Sequence, residues 1–165
     1  NMNDEKGQLS GEYMLLVGSL IVVLMISIFM IANENELNIA MAAAKSGADE
    51  GVASSSSAIY PKETFNEYDD MEGLKHPYSV SIVNVSYNSS GIDENYGKQK
   101  IQFKVYAKAS VDYNKKELDS IGDRINYNLR KSVAMSFNTT DSTNKLYNPV
   151  FSNNHVFTTA NVVWV

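Results

Sequence analysis

The sequence predicts an α+β protein, with a long N-terminal hydrophobic helix followed by a small antiparallel-sheet head carrying one packed helix, in the order β-β-α-β. Three observations carry this expectation. Residues 13–32 read YMLLVGSLIVVLMISIFMIA, without a single charge. Residues 101–111 alternate apolar and polar side chains at the period of a strand. Leu118, Ile121, Ile125, Leu129 and Val133 recur at the period of a helix.

The first element is read as one helix from about Ser10 to the mid-fifties, apolar first and amphipathic after. Twenty helical residues from Tyr13 to Ala32 span about 30 Å, the apolar thickness of a bilayer. The helix is too long, and its first half too apolar on every face, for a buried core helix of a globular protein. Beyond it, Leu37, Met41, Ala44, Ala48 and Val52 continue at helical spacing between Asn, Glu, Lys and Asp. Gly47 and Gly51 are read as a fraying helix end, and Pro61 as the stop. Gly18 is compatible with close helix approach, a local kink or neither.

Residues 59–77 form an acidic, turn-rich connector. A strand is expected over Tyr78–Tyr87, dense in Val, Ile and Tyr, and a loop over Asn88–Gly97. In the next strand, Gln99–Asp112, the residues Ile101, Phe103, Val105, Ala107, Ala109 and Val111 should face the core, with the lysines on the wet face. Asn114 and Glu117 have the spacing of a capping box, so a helix should start there and run to about Phe137. Asn138–Asn154 is turn-rich, and Val156–Val165 is the expected final strand.

The formal net charge is −5, so the basic footprint of a nucleic-acid binder is missing and no nucleic-acid partner is expected. The absence of cysteine excludes disulfides and thiolate metal sites. His76 and His155 are the only histidines, too few for a zinc site or a histidine-based catalytic set. Glu67, Asp69, Asp70 and Glu72 lack EF-hand spacing and read as a solvated acidic loop rather than a calcium site. With no phosphate loop and no nucleophile elbow, neither an enzyme nor a cofactor is expected.

The stretch ahead of the apolar run is specific. After Lys6 and Gly7 come Gln8, Leu9, Ser10, Gly11, Glu12, Tyr13, Met14, Leu15 and Leu16. This resembles the class III signal peptide of archaeal type IV pilin-like proteins, a Gln-x-Ser-x-Glu-x-x-x-Leu pattern matched by Gln8, Ser10, Glu12 and Leu16. The resemblance covers the start of the chain and not the head.

It implies a leader over 1–7, cut by a prepilin peptidase between Gly7 and Gln8, an assembly helix over 8–58 and an extracellular head over 59–165. It implies membrane residence before assembly, then an extracellular filament of identical subunits built by membrane machinery, serving surface adhesion. Glu12 becomes the fifth residue of the mature chain, and in this family that acid is thought to meet the N-terminal amine of a neighbouring subunit. A carboxylate at the mouth of an apolar helix is costly to bury alone, and an ammonium partner offsets that cost. The alternatives are an interfacial acid at a helix start and a membrane-anchored extracellular binding domain that does not polymerise. Sequons at Asn84, Asn88 and Asn138 are possible N-glycosylation sites, Asn88 and Asn138 by virtue of their expected loops.

Overall fold

The computed structural model describes residues 2–53 and 79–165, with side chains from Ser10 onward. The connector, Pro61, His76 and the acidic group at 67–72 lie outside the described residues. Helix α1 spans Met2–Ala53, and β1 spans Val80–Asp93. β2 (Lys98–Ala109) and helix α2 (Lys115–Ser136) follow, then a 3₁₀ turn at Thr140–Ser142 and the strands β3 (Val150–Phe151), β4 (His155–Thr159) and β5 (Val163–Trp164). The class is α+β as expected. Helical backbone begins earlier than Ser10, where no proline opposes it. By internal contacts the chain divides into two compact units, Asn1–Leu37 and Asn38–Val165.

In the second unit the strands run β1-β2-β4-β3, with β5 also on β2. β1 and β2 form an antiparallel hairpin. Its turn is held by Gly97, at φ +63°, and by the Asn95 amide donating to Asp93 Oδ1 at 2.8 Å. That left-handed backbone is accessible to glycine at little cost.

Two expectations fail here. β1 does not stop at Tyr87 but reaches Asp93, with Gly91 at φ +86° in the irregular register between Ser89 and Ile92. A glycine that read as a loop residue instead permits a bulge within a longer strand. The sheet is also mixed rather than antiparallel, because β4 and β5 both pair parallel to β2. A helix inserted between two neighbouring strands carries the chain back to its starting end, which makes those strands parallel. The expected final strand is interrupted between Thr159 and Val163. There the Ala160 amide donates to the Phe103 carbonyl at 2.8 Å, and Asn126 Nδ2 donates to the Ala160 carbonyl at 2.9 Å.

The core lies between the sheet and α2. Ile101, Phe103, Val105 and Ala107 are buried on one face of β2, opposite exposed Gln102, Lys104 and Lys108. Val111 departs from this row. It lies beyond the end of β2 and is exposed, because without ladder pairing the strand alternation no longer directs side chains inward. On α2, Ile121, Ile125, Leu129 and Val133 are buried, and Leu118 at the first turn is half-buried. The capping box forms as expected: Asn114 Oδ1 accepts from the Glu117 amide at 2.8 Å, and the Asn114 amide donates to Glu117 Oε1 at 3.5 Å. Phe137 stacks on Phe157, which stacks on Phe103, each pair 5.7 Å between centroids. Tyr87 meets Phe103 edge-on at 6.5 Å.

The last turns of α1 belong to this core as well. Ala40, Ala43, Ala44 and Ala48 are buried, as are Gly47 and Gly51. Gly47 and Gly51 are therefore not a fraying end, because α1 remains helical through Ala53 and both glycines lie against α2. A Cβ on Gly47 would come within 2.6 Å of the Asn128 carbonyl oxygen, and one on Gly51 within 2.9 Å of the Ile125 Cα. Small residues four apart let two backbones approach where larger side chains would hold them away.

Candidate assembly segment

The residues matching the Gln-x-Ser-x-Glu pattern all lie on α1. Gly7 and Gln8 are within its helical backbone, while the Gln8 side chain lies outside the described residues. Ser10, Glu12 and Leu16 are exposed. Among the described residues none pairs with the Glu12 carboxylate. Its place one residue before Tyr13 sets a charge at the boundary of the uncharged run.

That run has an unusual surface. Tyr13–Leu16, Leu20–Ile26 and Ile28–Ile31 comprise fifteen large apolar side chains, each more than half exposed. Leaving one such side chain in water forfeits about 1.5–3 kcal/mol. Over fifteen of them the deficit is on the order of tens of kcal/mol, more than the roughly 5–15 kcal/mol by which a typical domain is stable. An exposed apolar surface of this size is suited to contact with lipid or with other apolar surface. By length and composition the helix is able to cross a membrane.

The polar groups inside the run are satisfied locally. Ser19 Oγ donates to the Leu16 carbonyl at 2.9 Å and Ser27 Oγ to the Val23 carbonyl at 2.8 Å. Hydroxyls bonded back to their own helix can enter an apolar medium without an orphaned donor. Gly18 has nothing within 4 Å of the position a Cβ would take, so no contact within the chain calls for a glycine there.

Two of the three sequons lie on β1 and the third in a turn. Asn84 and Asn88 are both exposed on β1, opposite Tyr106 and Gln102 of β2. Asn88 is thus on a strand rather than in a loop. Asn138 is exposed in the turn after α2, at φ +55°, a conformation asparagine tolerates better than most residues. Groups of three or more His, Cys, Asp or Glu able to hold a metal are absent among the described residues.

The small-residue stripe from Ala40 to Gly51 takes its meaning from the close approach of α2. Its signal was present in the four-residue spacings Ala40–Ala44–Ala48 and Gly47–Gly51. Comparison with protein-family models, with curated proteins and with solved structures found no match.

Proposed function

We propose that this chain is the structural subunit of an extracellular, type IV pilus-like filament, assembled from identical copies through the N-terminal helix and serving surface adhesion. The observation that carries the reading is the conjunction at residues 8–32. The motif Gln8-x-Ser10-x-Glu12-x-x-x-Leu16 runs directly into the stretch of the same helix whose apolar side chains are exposed on all sides. Before assembly, lipid covers that surface. After assembly, the same residues of neighbouring copies cover it, driven by removal of apolar area from water.

In this reading a prepilin peptidase cuts between Gly7 and Gln8, and the membrane assembly machinery delivers the mature chain to the filament. Glu12 pairs with the freed amine of a neighbour's Gln8, which fixes the register between subunits. The heads form the outer sheath, with Asn88 and Asn138 as glycan acceptors. The role is structural rather than catalytic.

Electron microscopy and mass spectrometry of material sheared from the cell surface test the proposal. Filaments containing this chain as their main protein are expected. A chain recovered only as a monomer from the membrane fraction would instead identify a membrane-anchored binding domain.

A further inference from the structure

The wet face of the sheet ends in a groove of about 370 Å³. Lys100 and Gln102 of β2 and Thr158 of β4 line its floor, and Gln102 and Thr158 are paired in the β2–β4 ladder. Asp93 and Tyr96, from the end of β1 and the hairpin turn, form one side, and Pro149 lies on the other. The hairpin geometry places them. Asp93 Oδ1 accepts from the Asn95 amide at 2.8 Å, and Asp93 Oδ2 lies 3.8 Å from Lys100 Nζ.

Charge within the groove balances. Asp93 and Lys100 are its two charged lining residues, and they face each other. Nearby Lys98 is committed elsewhere, with its ammonium donating to the Ser152 carbonyl at 2.6 Å and lying over the Phe151 ring. Such a site has no surplus cation for a phosphate or carboxylate. It is also too polar for a wholly apolar ligand, which would strip water from Asp93, Lys100, Gln102 and Thr158 without replacing those hydrogen bonds.

Tyr96 supplies the complementary element. Its ring is half exposed and is braced edge-on by Phe151 at 4.9 Å between centroids. A braced aromatic ring offers apolar area at small entropic cost. A ligand that matches all of this has an apolar C–H face for the ring and several hydroxyls that both donate and accept.

We propose that this groove binds a neutral saccharide, with Tyr96 against the sugar's C–H face and Asp93, Lys100 and Gln102 on its hydroxyls. The proposal gives the adhesive part of the filament reading a ligand chemistry and rests on that part, though binding itself does not require filaments. An open groove of this size suits millimolar rather than nanomolar affinity.

The test uses the full chain, made without glycans and held monodisperse in a zwitterionic detergent that lacks a sugar headgroup. Glycans are withheld because Asn88 is the strand partner of Gln102. Glucose, galactose, mannose, N-acetylglucosamine and glucuronate are titrated by saturation-transfer NMR, and inorganic phosphate is added as a competitor that displaces the bound sugar if it binds more tightly. At least one neutral sugar is expected to bind at millimolar concentration, and Tyr96→Ala and Gln102→Ala each to weaken it about tenfold. Gln102 is exposed, so Gln102→Ala is expected to melt with the parent chain, and Lys115→Ala, outside the groove, to bind normally. The proposal is overturned if no neutral sugar binds, if glucuronate or phosphate binds more tightly, or if binding survives both groove substitutions. Filaments counted on cells expressing Gln102→Ala are expected at the parental number. Sugar binding without filaments would refute only the polymer, and filaments without sugar binding only the groove.

Discussion

Gly47 of α1 stands so close to Leu129 of α2 that a methyl group built on it would come within 2.8 Å of the Leu129 Cα. The same methyl would lie 2.6 Å from the Asn128 carbonyl oxygen and 2.6 Å from the Ser132 Cβ. Two of these three neighbours are backbone atoms, which cannot swing aside as a flexible side chain can.

The sign of a substitution at Gly47 follows from this contact. In an exposed helix interior, replacing Gly by Ala stabilises by about 1 kcal/mol. At Gly47 the helices must separate, and overpacking of that kind costs about 1–3 kcal/mol. Gly47→Ala is therefore expected to lower the melting temperature of the head, whereas Gly18→Ala, with open space around it, is expected to leave it unchanged. Equal melting of Gly47→Ala and the parent chain would show that α1 and α2 do not pack this closely.

Phe103 tests the buried face of β2. It is 1% exposed and stacks on Phe157. Phe103→Ala is expected to cost about 3–5 kcal/mol, the range for deleting a buried aromatic side chain. Denaturant titration of the two proteins measures it. A change below about 1 kcal/mol would place Phe103 on the wrong face.

Tyr127 links stability to alkaline pH. Burial pushes its phenol above the usual tyrosine range, nearby Tyr147 adds to the rise, and Arg130 opposes it. A phenol raised in the folded state keeps its full contribution below the unfolded value, about pH 10, and loses it as pH climbs toward the folded value. The parent head is thus expected to lose stability above about pH 10 faster than Tyr127→Phe does. Parallel pH-melting curves would remove Tyr127 from this role.

Much of the head was legible in the sequence because its signals are local. The capping box at Asn114 and Glu117 needs only three residues' spacing and formed as read. The alternation from Ile101 to Ala107 is a property of a single strand and also held. What failed depended on partners distant in sequence. Gly91 looks the same in a loop as in a bulge until β2 is placed beside it. The parallel pairing of Gln99 with His155 depends on where α2 lets the chain return. Gly47 and Gly51 read as weakness because glycine lowers helix propensity, while their value lies in the approach of α2. The groove at Tyr96 has no local sequence signal, because its lining comes from three separate stretches of chain.

Processing and glycosylation share one measurement. Peptide mass spectrometry of purified filaments is expected to find Gln8 as the first residue and glycan on Asn88 and Asn138. A peptide retaining Lys6 and Gly7 would refute the cut site, and unmodified peptides at both asparagines would refute the glycan assignment.

Glu12 bears most directly on how the filament is held together. Glu12→Gln keeps the shape of the side chain and removes the charge that a neighbour's N-terminal amine would meet. The head should fold unchanged, and the subunit should still enter the membrane and lose its leader, because none of these steps uses the pairing. The decisive measurement is the number of filaments per cell, counted by electron microscopy with the membrane pool of processed subunit quantified alongside. Few or no filaments above a normal pool are expected. Filaments of normal number and length would contradict assembly through Glu12 and leave it an ordinary acid at the edge of the uncharged run.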